Sequence, residues 1–157
     1  MVRELKARDI MTRNPIVLKR DVSVKEAAEL FTEKGIGGAP VVDDEGNLIG
    51  MVSSGDLIMR DVRLRYPTVI HVLDSFIYLP NPAQRFNEEL KKAVGATVGD
   101  VMSEKVIATD PDATIEDVAT LMVDHDVDRI PVVEDDKPIG IITKADIVRT
   151  ISGKSES

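Results

Sequence analysis

Apolar residues along the chain follow two rhythms, and the same succession of rhythms occurs twice. Behind Ser23, the residues Val24, Ala27, Ala28 and Phe31 keep the three-and-four spacing of one helix face. Behind Thr114, the residues Ile115, Val118, Ala119 and Met122 do the same. Each helix opens on a hydroxyl residue with a carboxylate three positions on, Ser23 with Glu26 and Thr114 with Asp117, the form of a capping box. Gly35 is placed to end the first helix in a left-handed conformation. Two short runs rich in β-branched residues follow, Ala39 to Val42 and Leu48 to Ser53, joined by Gly46-Asn47 turn chemistry. A second helix is predicted from about Gly55 to Val62, and in the second copy from about Ala145 to Ile151. Each copy therefore reads as strand, helix, strand, strand, helix.

The repetition extends to identities. Asp9-Ile10-Met11-Thr12 returns as Asp100-Val101-Met102-Ser103, and Ala39-Pro40-Val41-Val42 as Ile130-Pro131-Val132-Val133, at one constant offset. Ile49-Gly50 and Asp56 return one residue earlier, as Ile139-Gly140 and Asp146, because Asp44-Glu45-Gly46-Asn47 faces the shorter Asp135-Asp136-Lys137. A turn is where a duplicated fold tolerates a deletion. A unit of about fifty residues is marginal alone; two packed sheet against sheet are not.

Between the copies lies a segment with no counterpart in either, holding Tyr66, Phe76, Tyr78 and Phe86. Asn81-Pro82 has the form of an N-cap with proline at the first helical position, Phe86, Leu90 and Ala93 line one face, and Gly95 can close the helix. The expected division is a first domain over residues 1–62, a helical insertion over 63–94, a second domain over 95–151 and a flexible polar tail over 152–157.

Composition narrows the classes. Of 157 residues 43% are hydrophobic and 31% charged, ordinary for a soluble globular protein. A net charge of −8 repels polyanions, so no nucleic-acid partner is expected. The absence of cysteine removes disulfides, thiolate metal sites and cysteine nucleophiles, and fits a cytoplasmic location. The start Met1-Val2-Arg3-Glu4-Leu5-Lys6 lacks an apolar core, and the greasiest run, Val69 to Leu79, is too short for a bilayer and carries Asp74, so no membrane partner is expected.

Three elements, each present twice and in order, resemble a tandem of cystathionine-β-synthase (CBS) domains, a Bateman module, of the small stand-alone kind. They are the opening Asp-[Ile/Val]-Met-[Thr/Ser], the x-Pro-Val-Val strand, and Gly50-Met51-Val52-Ser53-Ser54-Gly55-Asp56 with its partner Gly140-Ile141-Ile142-Thr143-Lys144-Ala145-Asp146. The resemblance covers about residues 5–62 and 95–151. It implies an α/β fold of the α+β kind: two β-α-β-β-α units about a pseudo-twofold axis, with two clefts between them. It further implies a regulatory, energy-sensing role, an adenosine ligand (AMP, ADP or ATP, in some members S-adenosylmethionine or NAD), and frequent pairing into a homodimer.

The chemistry suits such a ligand. A hydroxyl three positions before an aspartate at a strand-to-helix junction offers a carboxylate to both ribose hydroxyls and free N–H groups to phosphate. Carried over from the family, one cleft combines Ser53 and Asp56 with Val106, Ile107, Val127, Asp128 and Arg129. The other combines Thr143 and Asp146 with Thr12, Pro15, Ile16, Ile36, Gly37 and Gly38. Lys144 and Arg129 are the candidates for phosphate charge, and Asp128 is expected to oppose phosphate unless its neighbour neutralises it. Gly37-Gly38 opens room where the second copy has Asp128-Arg129, so the Thr143/Asp146 cleft is expected to fill first. The same pattern is also an ordinary capped helix start, and one aspartate can serve in both ways.

Other chemistry is thinner. His71 and His125 stand apart without a metal-ligand pattern, and Asp43-Asp44-Glu45 and Glu134-Asp135-Asp136 lack calcium-loop spacing, so no metal is expected. No P-loop, nucleophile elbow or base–orienter set is legible; neither catalysis nor a catalytic cofactor is expected. The alternatives to a sensor are a purely structural dimerisation scaffold with empty clefts, its dimer driven by Val69 to Leu79, and, more remotely, a nucleotide hydrolase. A sensor lacking an output domain acts through self-association or a separate effector protein.

Overall fold

The structure, a computed structural model, describes residues 4–58 and 96–153. In chain order its elements are α1 (Ala7–Ile10), β1 (Thr12–Arg13), β2 (Leu18–Lys19), α2 (Val24–Lys34), β3 (Gly38–Val42), β4 (Leu48–Ser53), α3 (residues 54–58), α4 (Val98–Val101), α5 (Ile115–His125), β5 (Arg129–Glu134), β6 (Lys137–Thr143) and α6 (Lys144–Ser152). The architecture is mixed α+β. The predicted insertion helix from Asn81-Pro82 to Gly95, with Phe86, Leu90 and Ala93, lies outside the described residues, as do Tyr66, His71, Phe76, Tyr78 and the run Val69 to Leu79.

Both long helices start as their sequences predict. Ser23 Oγ accepts from Glu26 N–H at 3.0 Å, and Thr114 Oγ1 accepts from Asp117 N–H at 3.0 Å. Only Thr114 completes the reciprocal box, its N–H donating to Asp117 Oδ2 at 3.4 Å. At the far end Gly35 is left-handed, and its repeat-equivalent Asp126 takes the same conformation at φ 51°. Asp tolerates that region better than most side chains. Ala27, Phe31, Val118 and Met122 are buried as the spacing predicts, whereas Ala28 is exposed. It follows Ala27 by one position, about 100° around the helix, which turns it out of the face.

The described residues fall into two compact units, each taking its leading segment from the other copy. Among the described residues one unit holds 4–17, 42–50 and 104–153; the other holds 18–41, 51–58 and 96–103. In the first, Ala7 N–H donates to Ala113 O (2.8 Å), Arg8 N–H to Pro111 O (3.0 Å) and Ile115 N–H to Leu5 O (3.3 Å). The repeat-equivalent bonds of the second are Val98 N–H to Val22 O (2.7 Å), Gly99 N–H to Arg20 O (2.8 Å) and Val24 N–H to Ala96 O (2.8 Å). The exchange extends to the sheets. Strand β1 pairs antiparallel with β6, Thr12 opposite Ile141, in the order β1-β6-β5. The other sheet runs β2-β3-β4, and Ser103, equivalent to Thr12, bridges Met51 of β4. Thr109 bridges Val132 in parallel, as the second copy's remnant of β2.

The first unit's core gathers Ala7, Val118, Met122, Ile130, Val132, Ile142 and Ile147 from both copies. Met11 seals it: a Cβ built on Gly140 stands 2.3 Å from Met11 Sδ and 2.7 Å from its Cγ, so glycine is what lets the exchanged segment dock. At the hairpins, Asp43 Oδ1 accepts from Glu45 N–H (3.0 Å) and Asn47 N–H (2.8 Å). The shorter second hairpin turns on Asp135 and Asp136, both at positive φ, the conformation a two-residue hairpin loop needs. Ser152 is the last residue of α6 and Gly153 its left-handed cap.

Candidate functional site

The strands deliver the two predicted hydroxyl–aspartate pairs straight into helices, with no intervening loop. Ser53 ends β4 and α3 begins at the next residue; Thr143 ends β6 and α6 begins at Lys144. Ser53 N–H donates to Asp56 Oδ2 at 2.9 Å, and Asp56 N–H donates back to Ser53 Oγ at 3.2 Å. At the second junction, Thr143 donates through N–H (2.8 Å) and Oγ1–H (3.1 Å) to Asp146 Oδ2, and Asp146 N–H donates to Thr143 Oγ1 at 3.3 Å. Both aspartates therefore cap their helices, as the plainer of the two readings foresaw.

The junctions differ in what else holds them. Asp146 is 8% exposed, the one buried charged residue of the described core, and its Oδ1 is paired with the Arg149 guanidinium one turn on. Asp56 is half-buried, and Met occupies the position equivalent to Arg149. Arg149 was not among the predicted site residues, although its spacing from Asp146 is the ordinary one for helix neighbours and was legible.

A second difference concerns the loops before the hairpins. Lys144 N–H donates to Asp128 O at 3.0 Å, and Ser54 N–H donates to Gly37 O at 2.8 Å, equivalent bonds in the two copies. Only the second copy adds side chains to this bond: Lys144 Nζ stands 3.0 Å from Asp128 Oδ1, and this ammonium holds the Asp128 carboxyl below its usual range. Asp128 is thus neutralised chiefly by Lys144, with Arg129 a lesser influence, where the sequence pointed to Arg129. Arg129 lies directly across from Thr143 in the β5–β6 register. Within their own unit Asp128 and Arg129 have Thr143 and Lys144 as neighbours, because the antiparallel hairpin returns the chain to its own start.

The remaining candidates are distributed by unit. Thr12, Pro15, Ile16, Val106, Ile107 and Val127 fall in the unit that contains Thr143; Ile36, Gly37 and Gly38 fall in the unit that contains Ser53. Thr12 is exposed, while Pro15, Ile16, Val106 and Ile36 are half-buried. Ile107 and Val127 pack against the first unit's core. Among the described residues no cluster of three His, Cys, Asp or Glu is placed to hold a metal, and no helix is long and apolar enough to cross a membrane. His125 is exposed in the last turn of α5.

A duplicated α+β unit, with a hydroxyl–aspartate helix start in each copy and exchanged leading segments, defines the class as a tandem domain pair. Residues 7–63 and 98–153 match the CBS domain. The chain belongs to the CBS domain family. It is 35% identical to an uncharacterized protein of Methanocaldococcus jannaschii, over 92% of this chain and 89% of that one. It is 36% identical to the chloroplastic CBS domain-containing protein CBSX2 of Arabidopsis thaliana, over 90% of this chain and 61% of that one. The crystal structure of CBSX2 in complex with AMP superposes with a TM-score of 0.71 at 31% identity, covering 94% of this chain and 96% of that one. The CBS domain pair of protein MJ0100, in complex with 5-methylthioadenosine and S-adenosyl-L-methionine, gives 0.70 at 25% identity, covering 98% of this chain and 100% of that one.

Proposed function

We propose that the chain is a regulatory module that binds an adenosine-containing ligand, AMP, ADP or ATP first among the candidates, and performs no catalysis. Asp56 and Asp146 accept from the ribose hydroxyls. Ser53, Thr143 and the helix N–H groups face phosphate with Arg129 and Lys144. Thr12, Pro15, Ile16, Ile36, Gly37, Gly38, Val106, Ile107 and Val127 supply apolar and backbone surface for adenine. Asp128 tunes the charge beside Lys144.

The observation that carries this reading is the pair of hydroxyl–aspartate junctions at equivalent positions of a CBS pair. The AMP complex of CBSX2 supports the ligand class, and the MJ0100 complex supports S-adenosylmethionine as the next candidate. A carboxylate that accepts two hydroxyls gains charge-assisted bonds of about 1.5–3 kcal/mol each. Occupancy then shifts whatever equilibrium the ligand distinguishes, and the readout runs through a homodimer or a separate effector. Exposed Val123, Val148 and Ile151 on α5 and α6 supply apolar surface for such a contact, and they equally favour the scaffold alternative.

Thermal denaturation with AMP, ADP, ATP, S-adenosylmethionine and NAD separates the two. A ligand at one hundred times its Kd stabilises by about 2.7 kcal/mol, several degrees of melting. A flat panel leaves the scaffold reading in place of this one.

A further inference from the structure

We propose that Arg149 is an internal latch on the Asp146 junction, so that the Asp56 junction fills first. The inference rests on the adenosine reading above and reverses the order of filling expected from Gly37-Gly38. An ionised carboxylate has about four acceptor positions on its two oxygens. At Asp146, Oδ2 already takes two donors from Thr143, and Oδ1 takes the Arg149 guanidinium. A sugar diol needs two positions, and it meets a carboxylate with about one left. Binding there requires the guanidinium to withdraw. At Asp56 the only donor among the described residues is Ser53 N–H on Oδ2. The described residues leave about three positions open, including both on Oδ1.

Burial sharpens the contrast. The Asp146 side chain is 9% exposed and its partner Arg149 44% exposed, so the carboxylate is shielded while the guanidinium can swing into water. The Lys144–Asp128 pair tightens the same junction, and the first copy has Ser54 and Gly37 at those positions. Among the described residues one junction is thus open and the other has its ligand-facing charge already satisfied.

Calorimetric titration with adenosine tests this, because adenosine carries the diol without a phosphate for Arg149 to attract. The Asp56→Asn chain isolates the second junction. In that background Arg149→Met, which copies the first repeat, is expected to tighten adenosine roughly three- to tenfold. Arg149→Gln serves as the second variant, and circular dichroism verifies that each chain stays helical. In the Asp146→Asn background the same change is expected to leave affinity within about twofold. Unchanged or weaker binding on removing Arg149 in the Asp56→Asn chain overturns the latch while leaving the adenosine reading intact. Absence of binding to the wild-type chain and every variant, by adenosine and AMP alike, overturns the adenosine reading itself.

Discussion

Asp146 does two jobs that pull against each other. As a cap it satisfies Thr143 N–H and completes a reciprocal box, and as a buried carboxylate it depends on Arg149 for neutralisation. Removing it leaves an unsatisfied N–H at a half-buried strand end. Asp146→Ala is therefore expected to cost about 1–3 kcal/mol in urea unfolding. Asp56 makes fewer bonds, so Asp56→Asn should change stability by less than about 1 kcal/mol while weakening AMP about tenfold or more. The Lys144–Asp128 pair gives a pH prediction of definite sign. A depressed carboxyl contributes stability above its unfolded value and loses it as pH falls through the folded one. Both side chains are more than half exposed, so the gap between wild type and Lys144→Met should be a few tenths of a kcal/mol near neutrality. It should close below about pH 4, as followed by unfolding at stepped pH. Sequence could locate these aspartates because a hydroxyl three residues before a carboxylate has one spacing and two uses. It could not rank them, since ranking depends on which cation reaches which oxygen.

At the scale of elements, the long helices and both hairpins were legible from periodicity, capping residues and turn chemistry. Leu48 to Ser53 was placed without error because a β-branched run bounded by Gly46-Asn47 has few other solutions. The exchange of leading segments was not legible. Repeated identities report that Asp9 to Thr12 and Asp100 to Ser103 do the same job, but not which copy each one docks against. Gly140 records the answer in retrospect, since only glycine admits Met11 there. Gly140→Ala should destabilise by about 1–3 kcal/mol through overpacking, and Met11→Ala in the same chain should recover part of that loss in a double-mutant cycle. Asp126 gives a prediction of opposite sign. It holds the left-handed position that Gly35 fills in the first copy, so Asp126→Gly is expected to raise stability by about 0.5–1 kcal/mol in thermal unfolding.

For the whole molecule, duplication followed by divergence explains why the halves share a backbone and differ in chemistry. Equivalent main-chain bonds hold both leading segments and both hairpin approaches, so the scaffold tolerates a charge change at one junction without altering the other. Among the many residues that differ between the copies, Gly37 against Asp128, Ser54 against Lys144 and Met59 against Arg149 flank the two aspartates. Differences at those positions are what the proposed inequality of the two junctions requires. Equilibrium dialysis of AMP tests the central claim most directly, with the wild-type chain and Asp56→Asn measured side by side. The account predicts saturable uptake by the wild type and loss of its tighter phase in Asp56→Asn. Uptake that is indistinguishable between the two chains, or absent from both, contradicts it.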